Sequence, residues 1–351
     1  MPADFETVED RSFVISNFRL QNGAVLPQAK IVYETYGRLA ADGRNAALIT
    51  HGYTSSHHAA GRNPANGNLP GWWDGLIGSG KAIDTDRLFV VSSNMLGSSF
   101  GSSNGASIDP QTGKPYGLAF PAITVRDIIA AEKALLEALG VKHLVAVAGP
   151  SYGGYQAFQW AVDYPEFVDG VVPVVTAPKA QNVEQSLTQL EARLATDPEW
   201  NGGRYYGGGA KTVLIELRVE MLKRNGIEAA LTPRYPNRES REAEIRKQAV
   251  DWATRWDANS LVILRRGTIG YDTVKDFAKI KAKLLYVLCR TDKLFPPSIA
   301  PGVMGALAAA GVDARYFEID SDLGHSASGP EHAKWSPVLR KFLGPLMAKL
   351  G

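Results

Sequence analysis

The sequence predicts an α/β fold: a mostly parallel central sheet flanked by helices, with a helical lid inserted between two of its strands. Three observations carry that expectation. Apolar runs of strand length recur at residues 46–50, 144–147, 284–288 and 314–319, and they read as strands of a buried sheet. A segment with helical period at residues 125–139 lies between two of them, as a crossover between parallel strands requires. After Thr176-Ala177-Pro178 the composition shifts: residues 180–278 are helical in pattern, richly charged and broken by Gly202-Gly203 and Gly207-Gly208-Gly209, and strand patterns resume only at Leu284. The resulting division is a core of residues 1–178 and 279–351 and a lid of residues 179–278. No internal repeat is visible.

Taken in order, residues 13–20 and 30–36 read as opening strands, antiparallel at the sheet edge, and residues 88–92 add another. The helix at 125–139 carries Ile128, Ile129, Leu135, Leu136 and Leu139 as an apolar stripe, with Thr124 as N-cap and Gly140 as stop. The strand that follows breaks into Gly149-Pro150-Ser151-Tyr152-Gly153, the G-x-S-x-G pattern of a nucleophile elbow. A serine presented on a strained strand-to-helix turn brings residues two positions either side close to neighbouring backbone, and glycine at both removes the clash. The pattern alone is weak. Its context fits, because Tyr155, Phe158, Gln159, Ala161 and Val162 continue a helix until Tyr164-Pro165. Ser151 is the candidate nucleophile.

A nucleophilic serine needs a base and an acid that orients it. The strand at 284–288 runs into Cys289-Arg290-Thr291-Asp292, which puts Asp292 beyond a strand's C-terminal end, where a parallel sheet gathers its functional groups. The strand at 314–319 leads through Asp320-Ser321-Asp322-Leu323-Gly324 to His325, the candidate base. His332, at the start of the C-terminal helix, and His143 read as surface residues. The oxyanion would be held by the N–H of Tyr152, after the nucleophile, and by one from the His51-Gly52-Tyr53-Thr54 loop, with Tyr53 first and Thr54 in reserve. His57 and His58 raise a metal alternative, but no Asp, Glu or Cys stands at ligand spacing nearby, so they read as loop residues and no metal is expected. Cys289 reads as a small core hydrophobe. Trp72, Trp73, Tyr205 and Tyr206 are candidates for the mouth of the site or for packing.

Bulk properties suit an ordinary enzyme. A chain of 351 residues with 45% hydrophobic and 21% charged residues can bury one large α/β core. A net charge of +2, with basic residues spread among acidic ones, argues against a nucleic-acid partner. Residues 1–20 hold Asp4, Glu6, Glu9 and Asp10 and lack the basic start and apolar core of a signal peptide. No apolar run approaches the roughly 20 residues of a membrane span, so no membrane partner is expected and residence is expected to be cytoplasmic.

The elbow, the segment Asn94-Met95-Leu96-Gly97-Ser98-Ser99-Phe100-Gly101-Ser102-Ser103, the following Pro110-Gln111-Thr112-Gly113-Lys114-Pro115-Tyr116-Gly117, Asp257-Ala258-Asn259-Ser260 and the acid loop Thr291-Asp292-Lys293-Leu294-Phe295-Pro296-Pro297 together resemble the homoserine O-acetyltransferase group of α/β-hydrolases. The resemblance covers nearly the whole chain, densest over residues 25–175 and 255–330. It implies an α/β-hydrolase fold, Ser151, Asp292 and His325 as the triad, the amides of Tyr53 and Tyr152 as the oxyanion hole, no cofactor beyond acetyl-CoA as a possible acyl donor, and a homodimer joined through lid helices. Two departures concern the acceptor. Enzymes of that group carry an aspartate directly after the catalytic histidine, where this chain has Ser326, and a lid arginine and tyrosine facing the substrate, which fall at Arg218 and Asn225. A neutral hydroxyl cannot pair with an ammonium as a carboxylate does. The reading at this level is serine-dependent acyl transfer on a small-molecule ester or thioester, by an esterase or an acyltransferase with an acceptor other than homoserine. Homoserine O-acetylation is the alternative, and a non-catalytic ligand-binding protein the less favoured one.

Overall fold

The computed structural model describes residues 7–206 and 210–350; the glycines at 207–209 and the acidic Asp4 and Glu6 lie outside the described residues. Its centre is a sheet of eight strands: β1 (Arg11–Arg19), β2 (Val25–Tyr36), β3 (Ala46–Thr50), β4 (Phe89–Ser93), β5 (Leu144–Pro150), β6 (Gly170–Val174), β7 (Lys283–Cys289) and β8 (Ala314–Ile319). They lie in the order β1-β2-β4-β3-β5-β6-β7-β8. The β1–β2 and β2–β4 ladders are antiparallel. Every ladder from β4 to β8 is parallel. The opening hairpin is thus at the edge as expected, although β2 begins five residues earlier than residue 30, with Pro27 opposite Asn17 at the one place where the β1–β2 register lacks a pair.

Both faces of the sheet are covered, which is why its inner strands read as unbroken apolar runs. In β3, Ala46 and Leu48 join the cluster beneath α1 (Val125–Ala138) and α2 (Tyr152–Asp163). Their neighbours Ala47 and Ile49 join the opposite cluster with Trp73 and with Trp335 and Leu339 of the C-terminal helix His332–Met347. The period of two sends alternate side chains to opposite layers. Helix α1 starts on a full capping box, in which Thr124 and Asp127 exchange hydrogen bonds.

Between β6 and β7 the chain forms α3 (Val183–Leu194), α4 (Lys211–Arg224), α5 (Ile227–Leu231), α6 (Arg238–Ala253) and α7 (Ala258–Arg266). The two ends of this insertion are tied together by the Lys179–Asp272 bridge, backed by a 2.8 Å ion pair. It has its own apolar cluster, including Trp200, Leu214, Trp252 and Trp256, against which Tyr53 and Phe100 of the core pack.

One core residue carries a pH liability. Glu132 of α1 is buried, accepts hydrogen bonds from Trp160 Nε1 at 2.8 Å and Ser93 Oγ at 3.0 Å, and is pushed up to about 7 by burial from an ordinary 4.5. The native chain therefore holds more protons than the unfolded chain between those values. The stability from neutral Glu132 is full below about pH 4.5 and is lost as pH rises through about 7, by roughly 3 kcal/mol. Urea unfolding at pH 5 and pH 8 should show that decline in the wild type and much less of it in Glu132→Gln; an equal decline in both would exclude Glu132 as its source.

Candidate active site

The elbow is built as its glycines require. Ser151 sits between β5 and α2 at φ 57° and ψ −118°, a left-handed conformation strained for a residue with a side chain. Its N–H donates to Val174 O at 2.8 Å and its carbonyl accepts from Thr176 Oγ1 at 2.7 Å, which hold the turn from the adjacent strand. A Cβ at Gly149 would lie 2.1 Å from Thr50 Oγ1, and one at Gly153 would lie 2.3 Å from Thr50 O. The two glycines are needed because the elbow is pressed onto the end of β3.

Asp292 follows β7 and is buried. Its Oδ1 accepts from the N–H groups of Leu294 and Phe295 at 2.8 and 3.2 Å, leaving Oδ2 to accept from His325 Nδ1 at 2.8 Å. That bond puts the Nδ1 proton toward the carboxylate and leaves Nε2 as the basic nitrogen facing the cleft. His325 lies in the one-turn helix Gly324–Ser326, and both His325 and Ser151 line the same cleft. No hydrogen bond joins Ser151 Oγ to His325 directly; what the structure shows of the two is that they share one cleft. The rival acids are occupied elsewhere: Arg290 pairs with Asp320 at 2.7 Å and with Asp322 at 2.8 Å, both exposed.

The N–H groups of Tyr53 and Tyr152 donate to no acceptor among the described residues, and the two rings stack with centroids 6.2 Å apart. Two fixtures set the first loop. His51 is buried and neutral, held down to about 3 by burial, with Nδ1 on Gly52 O at 2.8 Å and Nε2 accepting from Met95 N–H at 3.0 Å. The lid supplies the other: Trp252 Nε1 donates to Thr54 O at 3.1 Å and Arg218 donates to Thr54 Oγ1 at 2.8 Å. Arg218 is therefore not brought to the cleft wall as a substrate-binding residue. It is stacked on Trp252 at 4.9 Å and lowered to about 10 by burial, behind the loop rather than in the site. Sequence spacing placed it on the correct helix but could not say which way that helix turns it.

The cleft has a volume of about 760 Å³. Trp72 and Trp73 line it, whereas Tyr205 and Tyr206 do not, since both donate to the half-buried Asp257 at the start of α7. Ser326 and Asn225 do line it, side by side, joined by Ser326 N–H to Asn225 O at 3.2 Å. Among the described residues its charged lining is Lys179, Arg224 and Arg265, without an Asp or Glu. Arg224 and Arg265 carried no sequence signal, because only the folding of the insertion brings the end of α4 and the last turn of α7 to one cleft.

His57 and His58 are not simple loop residues. Folding brings distant carboxylates to them: His58 Nδ1 bonds Glu34 at 3.0 Å, His57 Nε2 bonds Asp10 at 2.9 Å, and Asn63 Nδ2 bridges Asp10 and Glu34 at 2.6 and 2.7 Å. Asp10, Glu34 and His57 are close enough to share a metal ion. The same atoms are engaged with one another directly and through Asn63, in a polar network that leaves His57 Nδ1 buried without a hydrogen-bond partner among the described residues. Cys289 is fully buried, as its strand position implied.

A model of the alpha/beta hydrolase fold matches residues 48–329. Fold, elbow and acid–histidine pair define an α/β-hydrolase-fold enzyme of serine acyl chemistry. The chain is 34% identical to the homoserine O-acetyltransferase of Pelobacter propionicus over 98% of both chains, and 36% identical to that of Moorella thermoacetica over 94% of both. It belongs to the homoserine O-acetyltransferase-like group of the α/β-hydrolase family. Among solved structures it is similar to esterase E22 (TM-score 0.87, 31% identity, covering 96% of this chain and 100% of that one). It is as similar to the homoserine O-acetyltransferase of Bacillus anthracis (TM-score 0.87, 29% identity, 96% and 98%). Backbone likeness thus leaves the acceptor to the side chains. No described helix is long and apolar enough to cross a membrane.

Proposed function

We propose that the protein moves an acyl group from an ester or thioester through an acyl-enzyme on Ser151, and that its acceptor is water or an alcohol other than homoserine. His325 takes the proton from Ser151 Oγ as the carbonyl carbon is attacked, the amides of Tyr53 and Tyr152 hold the developing oxyanion, and Asp292 fixes the imidazole tautomer. The leaving alcohol or thiol departs with that proton. The acceptor then adds to the acyl-enzyme by the reverse route. No cofactor enters the proposal, and a homodimer through the lid helices, which light scattering would test, belongs to it by family resemblance.

The observation that carries the acceptor is the absence of any carboxylate among the described residues lining the cleft, with Ser326 and Asn225 at the two positions that departed from the family. An ammonium deprived of a close carboxylate forfeits a charge-assisted hydrogen bond of roughly 1.5 to 3 kcal/mol, which weakens homoserine use by about ten- to a hundredfold. The second reading, homoserine O-acetylation from acetyl-CoA, is favoured by the names of the curated relatives, which align over almost the whole chain. Thiol release from acetyl-CoA with and without homoserine, with O-acetylhomoserine measured by mass spectrometry, separates the two. We expect cleavage of a chromogenic short-chain ester without an acceptor and little homoserine-dependent product. Strong homoserine-dependent product would establish the second reading instead. Ser326→Asp should raise homoserine use if that position alone excludes the amino group.

A further inference from the structure

The cleft wall holds two guanidinium groups that no carboxylate among the described residues pairs with. Arg224 ends α4 and Arg265 lies in the last turn of α7, and both line the cleft that contains Ser151 and His325. The third cation, Lys179, is already paired with Asp272. Arg265 lies over the Tyr53 ring, its carbon 4.9 Å from the ring centroid, and its Nε is buried without a hydrogen-bond partner. Neither Arg224 nor Arg265 has a carboxylate within ion-pair distance among the described residues. Glu220, the acid that favours the charge of Arg224, is paired with Arg193 and lies outside the cleft lining. Burial and the neighbouring Arg265 both lower Arg224.

We propose that Arg224 and Arg265 form a carboxylate seat, so that the substrate carries a carboxylate besides the ester or thioester at which it reacts. A guanidinium offers a planar fork of N–H donors that matches a carboxylate in two parallel bonds. Two of them on one wall repel each other, and an anion bound between them relieves the repulsion. The Tyr53 ring joins the seat to the chemistry: one face meets Arg265, the ring stacks with Tyr152, and the amides of the same two tyrosines are the oxyanion donors. A carboxylate docked on Arg265 is thereby positioned one aromatic layer from the reacting carbonyl. The carboxylate can belong to the acyl part or to the alcohol part, since both leave the same wall.

The proposal rests on the acyl-enzyme reading, and its test separates the two. In the acyl arm, kcat/KM is compared for the 4-nitrophenyl half-ester of adipate and for 4-nitrophenyl hexanoate. In the alcohol arm, 4-acetoxybutanoate is compared with butyl acetate. The wild type should prefer the anionic member in one arm by about tenfold or more. That ratio, which cancels any general loss of activity, should fall by about ten- to a hundredfold in Arg265→Met and in Arg224→Met, chiefly through KM. Ratios near one in both arms, unchanged in both variants, overturn the seat while leaving the acyl-enzyme reading intact. A ratio effect confined to coenzyme A thioesters and lost with N-acetylcysteamine thioesters assigns the pair to phosphate and also overturns it. Should no ester turn over, calorimetry with glutarate against glutaramide still decides: binding of glutarate alone, lost in Arg265→Met, supports the seat, and equal or absent binding of both refutes it.

Discussion

Replacing Ser151 by alanine is expected to leave the fold intact and to lower kcat on cleavable esters by something on the order of 10⁴ to 10⁶. The fold survives because the hydroxyl makes no hydrogen bond that holds the turn; the turn is fixed by the Ser151 backbone on Val174 and Thr176 and by the glycines against Thr50. Activity does not survive because the acyl-enzyme has no other place to form. A serine-directed phosphonate should label the wild type at Ser151 only, as read by peptide mass mapping, and leave Ser151→Ala unlabelled. Near-normal turnover in a folded Ser151→Ala protein would refute the nucleophile.

Loss of the base should be about as damaging as loss of the nucleophile, so His325→Ala is expected to match Ser151→Ala in kcat. Asp292→Asn is expected to lower kcat roughly 10⁴-fold, the size of effect seen when a serine enzyme's orienting acid becomes an amide. The structure gives the reason. Oδ1 of Asp292 is held by two backbone N–H groups, so Oδ2 alone is left to take the Nδ1 proton of His325. An amide nitrogen in that place would donate to Nδ1, put the imidazole proton on Nε2 and remove its basicity toward Ser151. Asp320→Asn and Asp322→Asn, which lose only exposed pairs with Arg290, should stay near wild type in the same assay. If one of them proves as damaging as Asp292→Asn, the acid has been assigned wrongly.

The insertion does more than roof the site. Trp252 and Arg218 hold Thr54, one residue from the Tyr53 amide, so the lid is part of the oxyanion loop's support. Removing residues 180–278 would therefore disturb the loop as well as open the cleft, and point substitutions are the cleaner route to its role.

Ser151, Asp292 and His325 could be singled out in the sequence because each sits where local chemistry marks it; the structure joins Asp292 to His325 and puts Ser151 in the same cleft. Ser151 lies between two glycines after an apolar run, and Asp292 and His325 follow strand patterns that can end only at one edge of a parallel sheet. The inner strands at 46–50, 144–147 and 284–288 were legible as apolar runs, since strands covered on both faces leave no room for polar alternation, whereas β6 and the order of the strands came only from the structure. What the sequence could not decide is everything set by the angle at which a helix or loop meets the core. Arg218 lies on the expected lid helix yet faces Thr54 and Trp252. Tyr205 and Tyr206 turn away to Asp257. Arg224 and Arg265, separated by more than two helices of chain, meet on one wall. His57 and His58 find Asp10 and Glu34, which no ligand spacing links to them. Motif chemistry acts over a few residues and is written along the chain, whereas the charge of a cleft is a sum over elements that only tertiary packing brings into one small volume.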